Sequence, residues 1–292
     1  MAQNKSYRHI FKYTGLFSII QVVTVLASVL RNKAAALLID RYGQGLADLF
    51  NNTILFISTI TTIIAPVAII RRLSQIHDRF GDECAKMADE IRVIRSWSVL
   101  TGLFGMIVVM ALCPLLSYIS FSDTRFTNSY FFLAPMMLFL SINATEIAIL
   151  KATRQLKQLT IATAIGSVST FVVCALSYWF FEIRGVVISL NLAQMFVALI
   201  NLYFTCKKFP YRVSPFKWAV LKKAGWLILL SISCLIASFV AMFAEMLIRI
   251  YISNFGSIED VGLYSAGFAL SVTYTKFIFQ YIIIFVQIRI TH

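Results

Sequence analysis

The sequence predicts an all-α polytopic membrane protein with about eight transmembrane helices. Three observations carry that expectation. The 292-residue chain is 59% hydrophobic and only 13% charged, where a soluble domain carries about 25% charged residues. Apolar runs of the roughly 20 residues needed to span a bilayer recur from end to end. They are too long for barrel strands, and open sheets cannot satisfy their backbone in lipid. The formal net charge of +13 sits in short loops between these runs, so it reads as a topology signal and not as a nucleic-acid footprint.

Span 1 covers about Tyr13 to Leu30 and continues towards Ile39, with Gly43 and Gly45 expected to break it. Helical phasing at 100° per residue gathers Thr14, Gln21, Thr24, Ser28 and Arg31 into one polar stripe. A charge at mid-helix costs at least roughly 2.5–3.5 kcal/mol, so this stripe should face protein or a wet cavity. Equally open is that Arg31 and Lys33 lie near the helix end and snorkel to the headgroups.

Span 2, about Leu46 to Ile70, has Asp48, Asn51, Ser58 and Thr62 on one side, and Pro66 should kink its far end. In the polar segment Arg71 to Arg95, the apolar residues Leu73, Ile76, Phe80, Met87, Ile91 and Ile94 recur at helical spacing. That pattern reads as an amphipathic linker on the membrane surface. Span 3 covers about Ser96 to Ile119, and span 4 about Ser129 to Leu150.

Span 4 carries Asn143 and, three residues on, Glu146. An intramembrane carboxylate is a functional candidate by default; the alternative is a pair with Lys151 or Arg154. Span 5, about Leu159 to Phe181, has the small residues Gly166, Ser167 and Ser169 for close helix approach and ends in an aromatic belt. After the turn at Glu182 to Gly185, span 6 runs to about Phe204 with Asn191, Gln194 and Asn201. Span 7, about Ala224 to Ile248, phases Ser231, Cys234, Ser238, Met242, Glu245 and Arg249 together, with Glu245 and Arg249 spaced for an i,i+4 pair. Span 8 opens after Glu259, Asp260 and Gly262.

Basic residues concentrate in the amino-terminal segment, in Arg71 to Arg95, near Lys151 to Lys157 and in Lys207 to Lys223. The positive-inside rule places these in the cytoplasm, with Asp123 outside. Spans 1 and 7 each follow a basic cluster, carry one polar stripe and reach an arginine, Arg31 and Arg249, 218 residues apart. Such parallel repeats build two lobes around a cleft. The expected division is a first lobe at 1–206 with six helices, a basic cytoplasmic linker at 207–223, and the start of a second lobe at 224–292 with two helices. On this reading the second lobe is truncated, and the chain is inactive by itself.

Cys84, Cys113, Cys174, Cys206 and Cys234 are scattered and the histidines show no ligand spacing, so neither a metal site nor a cofactor is expected. Acyl-transfer, phosphoryl-transfer and metalloprotease motifs are lacking, which argues against an enzyme. Polar stripes on several helices suit a transporter, and arginines suit phosphate.

The stretches LRNKAAALLIDRYGQGLADLF, ILKATRQLKQLTIATAIGS and RIYISNFGSIEDVGLYSAGFALSVTY resemble the Wzx-type polysaccharide (O-antigen) flippases of the multidrug/oligosaccharidyl-lipid/polysaccharide exporter superfamily, over about Ser6 to Tyr274. The chain departs from the family at Asp40-Arg41, where Gly-Pro is usual, and after Tyr274. The resemblance implies a flippase in the bacterial inner membrane, carrying oligosaccharide linked to polyprenyl diphosphate, as in lipopolysaccharide assembly. Its partners would be that substrate, membrane lipids and other polysaccharide-assembly membrane proteins, with no nucleic acid. Arg31, Lys33 and Arg249 are the residues carried over for the diphosphate. Glu245 and Glu146 complete the candidate charges, and Gln21, Ser28, Asp48, Asn51 and Asn143 the candidate polar lining. A drug exporter of the same superfamily and a structural membrane protein are the alternatives. The cations outnumber the carboxylates against the first, and the buried polar stripes stand against the second.

Overall fold

The computed structural model describes residues 22–80, 85–213, 225–269 and 271. Among these, every regular element is a helix. Helix α1, residues 22–38, ends at Ile39, and α2 follows at once as Asp40–Thr61. The hinge is Asp40, at φ 56°, a left-handed conformation that Asp tolerates better than branched residues. Gly43 and Gly45 therefore do not break span 1; they lie inside α2. At Gly43 a Cβ would collide with the buried Ile39 side chain, so this glycine lets the first turn of α2 pack directly on Ile39.

Helix α3, Pro66–Phe80, continues α2 after a break bent by 54°. Pro66 is the first residue of α3, the position where a missing N–H is harmless. The kink thus falls just before the proline. In the break, the free N–H of Ala65 donates to Ser231 Oγ at 2.9 Å, a partner from a distant helix.

The segment expected to lie on the membrane surface does not form a separate linker. Its second half is the start of α4, Ala85–Phe121, whose 37 residues span about 55 Å at 1.5 Å per residue. That is nearly twice a ~30 Å hydrocarbon core, so one helix both crosses the bilayer and projects from it. Leu73, Ile76, Met87, Ile91 and Ile94 are buried against Ala148, Ile149, Ala152 and Phe209. Their helical spacing serves protein packing and not adsorption to lipid.

Helices α5, Thr127–Leu133, and α6, Met136–Ala152, form one pass interrupted at Pro135. Helices α7, Leu156–Phe181, and α8, Gly185–Cys206, are joined by a short 3-10 turn at Glu182–Arg184. Together they are far too long for a single crossing. They fold back as a hairpin in which Gly166 faces Val197 and Gly185 lies against the Ser177 carbonyl. Trp179 and Phe180, each 71% exposed, mark the interfacial end of that hairpin.

Helix α9, Gly225–Phe255, and α10, Ile258–Phe268, complete the described chain. Ser257 and Asp260 close a capping box on α10, satisfying two orphan donors at its start. Helix α9 runs antiparallel along α2, from Ser231 against Ala65, through Phe239 and Phe243 against Phe56, to Arg249 against Asp48. The main apolar cluster lies between α2, α4, α5, α6 and the hairpin, around Phe50, which contacts Tyr130 edge-on at 5.0 Å. By length and hydropathy, four helical stretches can cross a membrane, or five with the bent α2–α3 pair. The chain is a multi-pass membrane protein.

Candidate functional site

Three places in the fold bring charge or unsatisfied polarity against the apolar bundle, the first of them beside an exposed Arg31. The first is a cavity of about 180 Å³ between α1, α6, α7 and α8. Phasing on α1 turns Thr24, Ala27, Ser28 and Arg31 to one side, and all four line it. Opposite them stand Thr163, Gly166, Ser167 and Thr170 of α7, with Val197 and Asn201 of α8. Arg31 makes no ion pair with a described residue. Asn201 is 2% exposed and donates from Nδ2 to Asn143 Oδ1 at 2.8 Å and to the Val197 carbonyl at 3.1 Å.

The second is the junction of α2, α9 and α10. Arg249 is 4% exposed, and its Nε donates to Asp48 Oδ2 at 2.5 Å. Its Nη1 lies 3.5 Å from Glu245 Oε2, and its guanidinium rests over the rings of Tyr264 and Phe268. Ser265 donates to the same Asp48 oxygen at 2.5 Å. This close approach depends on glycine. A Cβ at Gly45 would strike the Ile258 carbonyl, and one at Gly262 the Arg41 carbonyl.

The third is a buried pair between α4 and α6. Arg95 grips Glu146 with Nε to Oε1 at 2.8 Å and Nη2 to Oε2 at 2.9 Å, both side chains being 1% exposed. The remaining Nη1 donates to the carbonyls of Phe209 and Pro210, and the Tyr211 ring lies 5.0 Å away. Burial, reinforced by the Glu146 carboxylate and opposed by Arg95, pushes the Tyr211 phenol up, so it stays protonated at neutral pH.

The sequence candidates thus separate. Ser28 and Arg31 share the first cavity, with Asn143 behind it as the acceptor for Asn201. Asp48, Glu245 and Arg249 share the junction, and Arg249 is not among the residues lining the Arg31 cavity. Glu146 pairs with Arg95 and not with Lys151 or Arg154; Arg154 instead bonds Asp78 at 2.8 Å. With both oxygens engaged and no exposure, the Glu146 carboxylate is an anchor between helices. Lys33 is exposed and, like Arg31, has no ion pair with a described residue. Asn51 is half-buried on α2. Gln21 lies outside the described residues.

Sequence reasoning missed Arg95, Ser265 and the cavity role of Asn201. Arg95 had a signal: it closes a run of buried apolar residues, Ile91, Val93 and Ile94, on a helix that continues without interruption into the membrane.

Set beside known families, residues 10–285 match the model described as "Polysaccharide biosynthesis protein". No curated protein and no solved structure matches.

Proposed function

Because this chain belongs to the polysaccharide biosynthesis protein family, whose members point to export of polysaccharide or lipid-linked oligosaccharide in general, we propose that it is a flippase. It moves an oligosaccharide linked to polyprenyl diphosphate, such as an O-antigen unit, from the cytoplasmic to the outer leaflet of the bacterial inner membrane. One observation carries this reading: Arg31, an exposed residue, borders a mostly apolar cavity between α1, α6, α7 and α8 and has no anionic partner among the described residues.

A guanidinium in apolar surroundings is unfavourable until an anion meets it. Diphosphate supplies that anion in the planar, bidentate geometry that guanidinium favours. Arg249 has the same chemistry but is neutralised by Asp48 and Glu245. Arg31 therefore engages the diphosphate first, and Arg249 joins when α2 parts from α9 and α10. In this reading the two lobes of the repeat would part at that junction, and the close approach of Gly45 to Gly262, 217 positions away, supports it. Glu146 takes no part in binding; it holds α4 to α6. Chemistry on the substrate is not required, so the protein is a carrier and not an enzyme.

The test is translocation of a fluorescent lipid-linked oligosaccharide in proteoliposomes. Arg31→Ala should abolish it, and Arg31→Lys should restore only part, because ammonium lacks the planar fork. Wild-type translocation by Arg31→Ala would restore the snorkelling account of this residue.

A further inference from the structure

Three of the hydroxyls that line the cavity beside Arg31 have their protons already engaged. Ser28 donates to Val25 O, Ser167 to Thr163 O and Thr170 to Gly166 O, all at 2.8–2.9 Å. Each hydroxyl has one proton and two lone pairs, so what remains available to the cavity is acceptor capacity. Asn201 repeats the pattern. Its two amide protons go to Asn143 and Val197, and the Val197 carbonyl fixes which end of the amide is nitrogen. Its Oδ1 is left buried with no hydrogen-bond partner. A buried acceptor without a donor is unfavourable and calls for explanation.

Among the described residues, no carboxylate lines this cavity, and Arg31 is the only cation that does. A second cation would be repelled by Arg31. The donor that fits is the guanidinium, with five N–H groups and no acceptor.

We infer that the Asn201 amide oxygen, with Ser28 and Thr170, forms a resting dock for the Arg31 side chain, and that Asn201 is a positioning residue for substrate engagement. The amide is suited to this because it is neutral. A carboxylate would hold Arg31 as tightly as a diphosphate does, whereas an amide oxygen yields to a charge-assisted, bidentate partner. The inference rests on the reading of Arg31 as the diphosphate ligand, but the dock has a readout of its own.

That readout is the rate at which phenylglyoxal, an arginine-directed dicarbonyl, modifies Arg31 in the purified full chain, followed by mass spectrometry of the peptide. Arg125, 87% exposed, serves as the reference in the same sample. Asn201→Asp should slow Arg31 modification about tenfold by adding a charge-assisted partner. Asn201→Leu should speed it about threefold by removing a neutral one. Arg125 should react equally in all three. Thr170→Val, a change at a half-buried position, should also speed Arg31 modification, and serves if either Asn201 variant fails to fold.

Equal Arg31 rates in every variant would overturn the dock. If the rates shift as expected while Arg31→Ala translocates like wild type, the dock stands and the diphosphate reading falls. If they are unchanged while Arg31→Ala is inactive, the dock alone falls.

Discussion

Glu146→Gln should destabilise this protein more than most single changes can. The reason lies in what is left behind. Arg95 stays 1% exposed on α4, its Nη1 still directed at the Phe209 and Pro210 carbonyls, but its charge loses its carboxylate partner. Removing one partner of a buried ion pair costs about 3–5 kcal/mol, because the remaining charge is uncompensated. At about 2–4 °C per kcal/mol for a protein of comparable size, the apparent Tm should fall by roughly 6–20 °C.

The assay is fluorescence-detected size exclusion after heating in detergent. A double replacement, Arg95→Met with Glu146→Leu, removes both charges together. It should lose only the bonds to the two carbonyls, each worth about 1 kcal/mol, and so should be more stable than Glu146→Gln. Lys151→Gln and Arg154→Gln, changes at exposed positions, should shift Tm little. A Tm for Glu146→Gln within about 2 °C of wild type, or a double variant as damaged as the single, would refute the anchor role.

Three other outcomes follow from the same packing. Gly45→Ala places a methyl against the Ile258 backbone carbonyl and should cost about 1–3 kcal/mol by forcing α10 off α2; Gly267→Ala, with nothing within 4 Å, should leave the thermal transition unchanged or raised. Ser231→Ala leaves the Ala65 N–H unpaired in the α2–α3 break and should destabilise by about 1–3 kcal/mol, seen in the same heating assay. A single cysteine at Asp123 should react with an impermeant thiol reagent added outside intact cells and one at Lys208 should not; the opposite pattern would reverse the topology.

Much of the architecture was legible in the chain, because lipid imposes a strong and local constraint. A span must be apolar over about 20 residues, and its polar residues must share a face, which 100° phasing reveals. Hence the all-helical, membrane-spanning class, the stripe holding Ser28 and Arg31, the shared face of Asp48 and Asn51, and the Glu245–Arg249 pair one turn apart could be read without coordinates, while the described residues give four or five crossing stretches where about eight were expected. Amphipathic spacing alone does not say whether an apolar stripe meets lipid or protein, which is why residues Arg71 to Arg95 read as a surface linker. The same ambiguity hid Arg95.

What the fold alone decided is which stripes meet, and at what depth. Periodicity places a side chain around its own helix axis and carries no information about the neighbouring helix. The partners of the buried charges lie far along the chain: Glu146 for Arg95, Asp48 for Arg249, Ser231 for the Ala65 N–H. Each match depends on helix tilt, on the 54° bend before Pro66, and on a backbone approach that only Gly45 and Gly262 permit. Composition determined that this chain lives in a membrane. Tertiary packing determined that Arg95 and Arg249 are neutralised within the bundle, while Arg31 borders a cavity with no carboxylate beside it among the described residues.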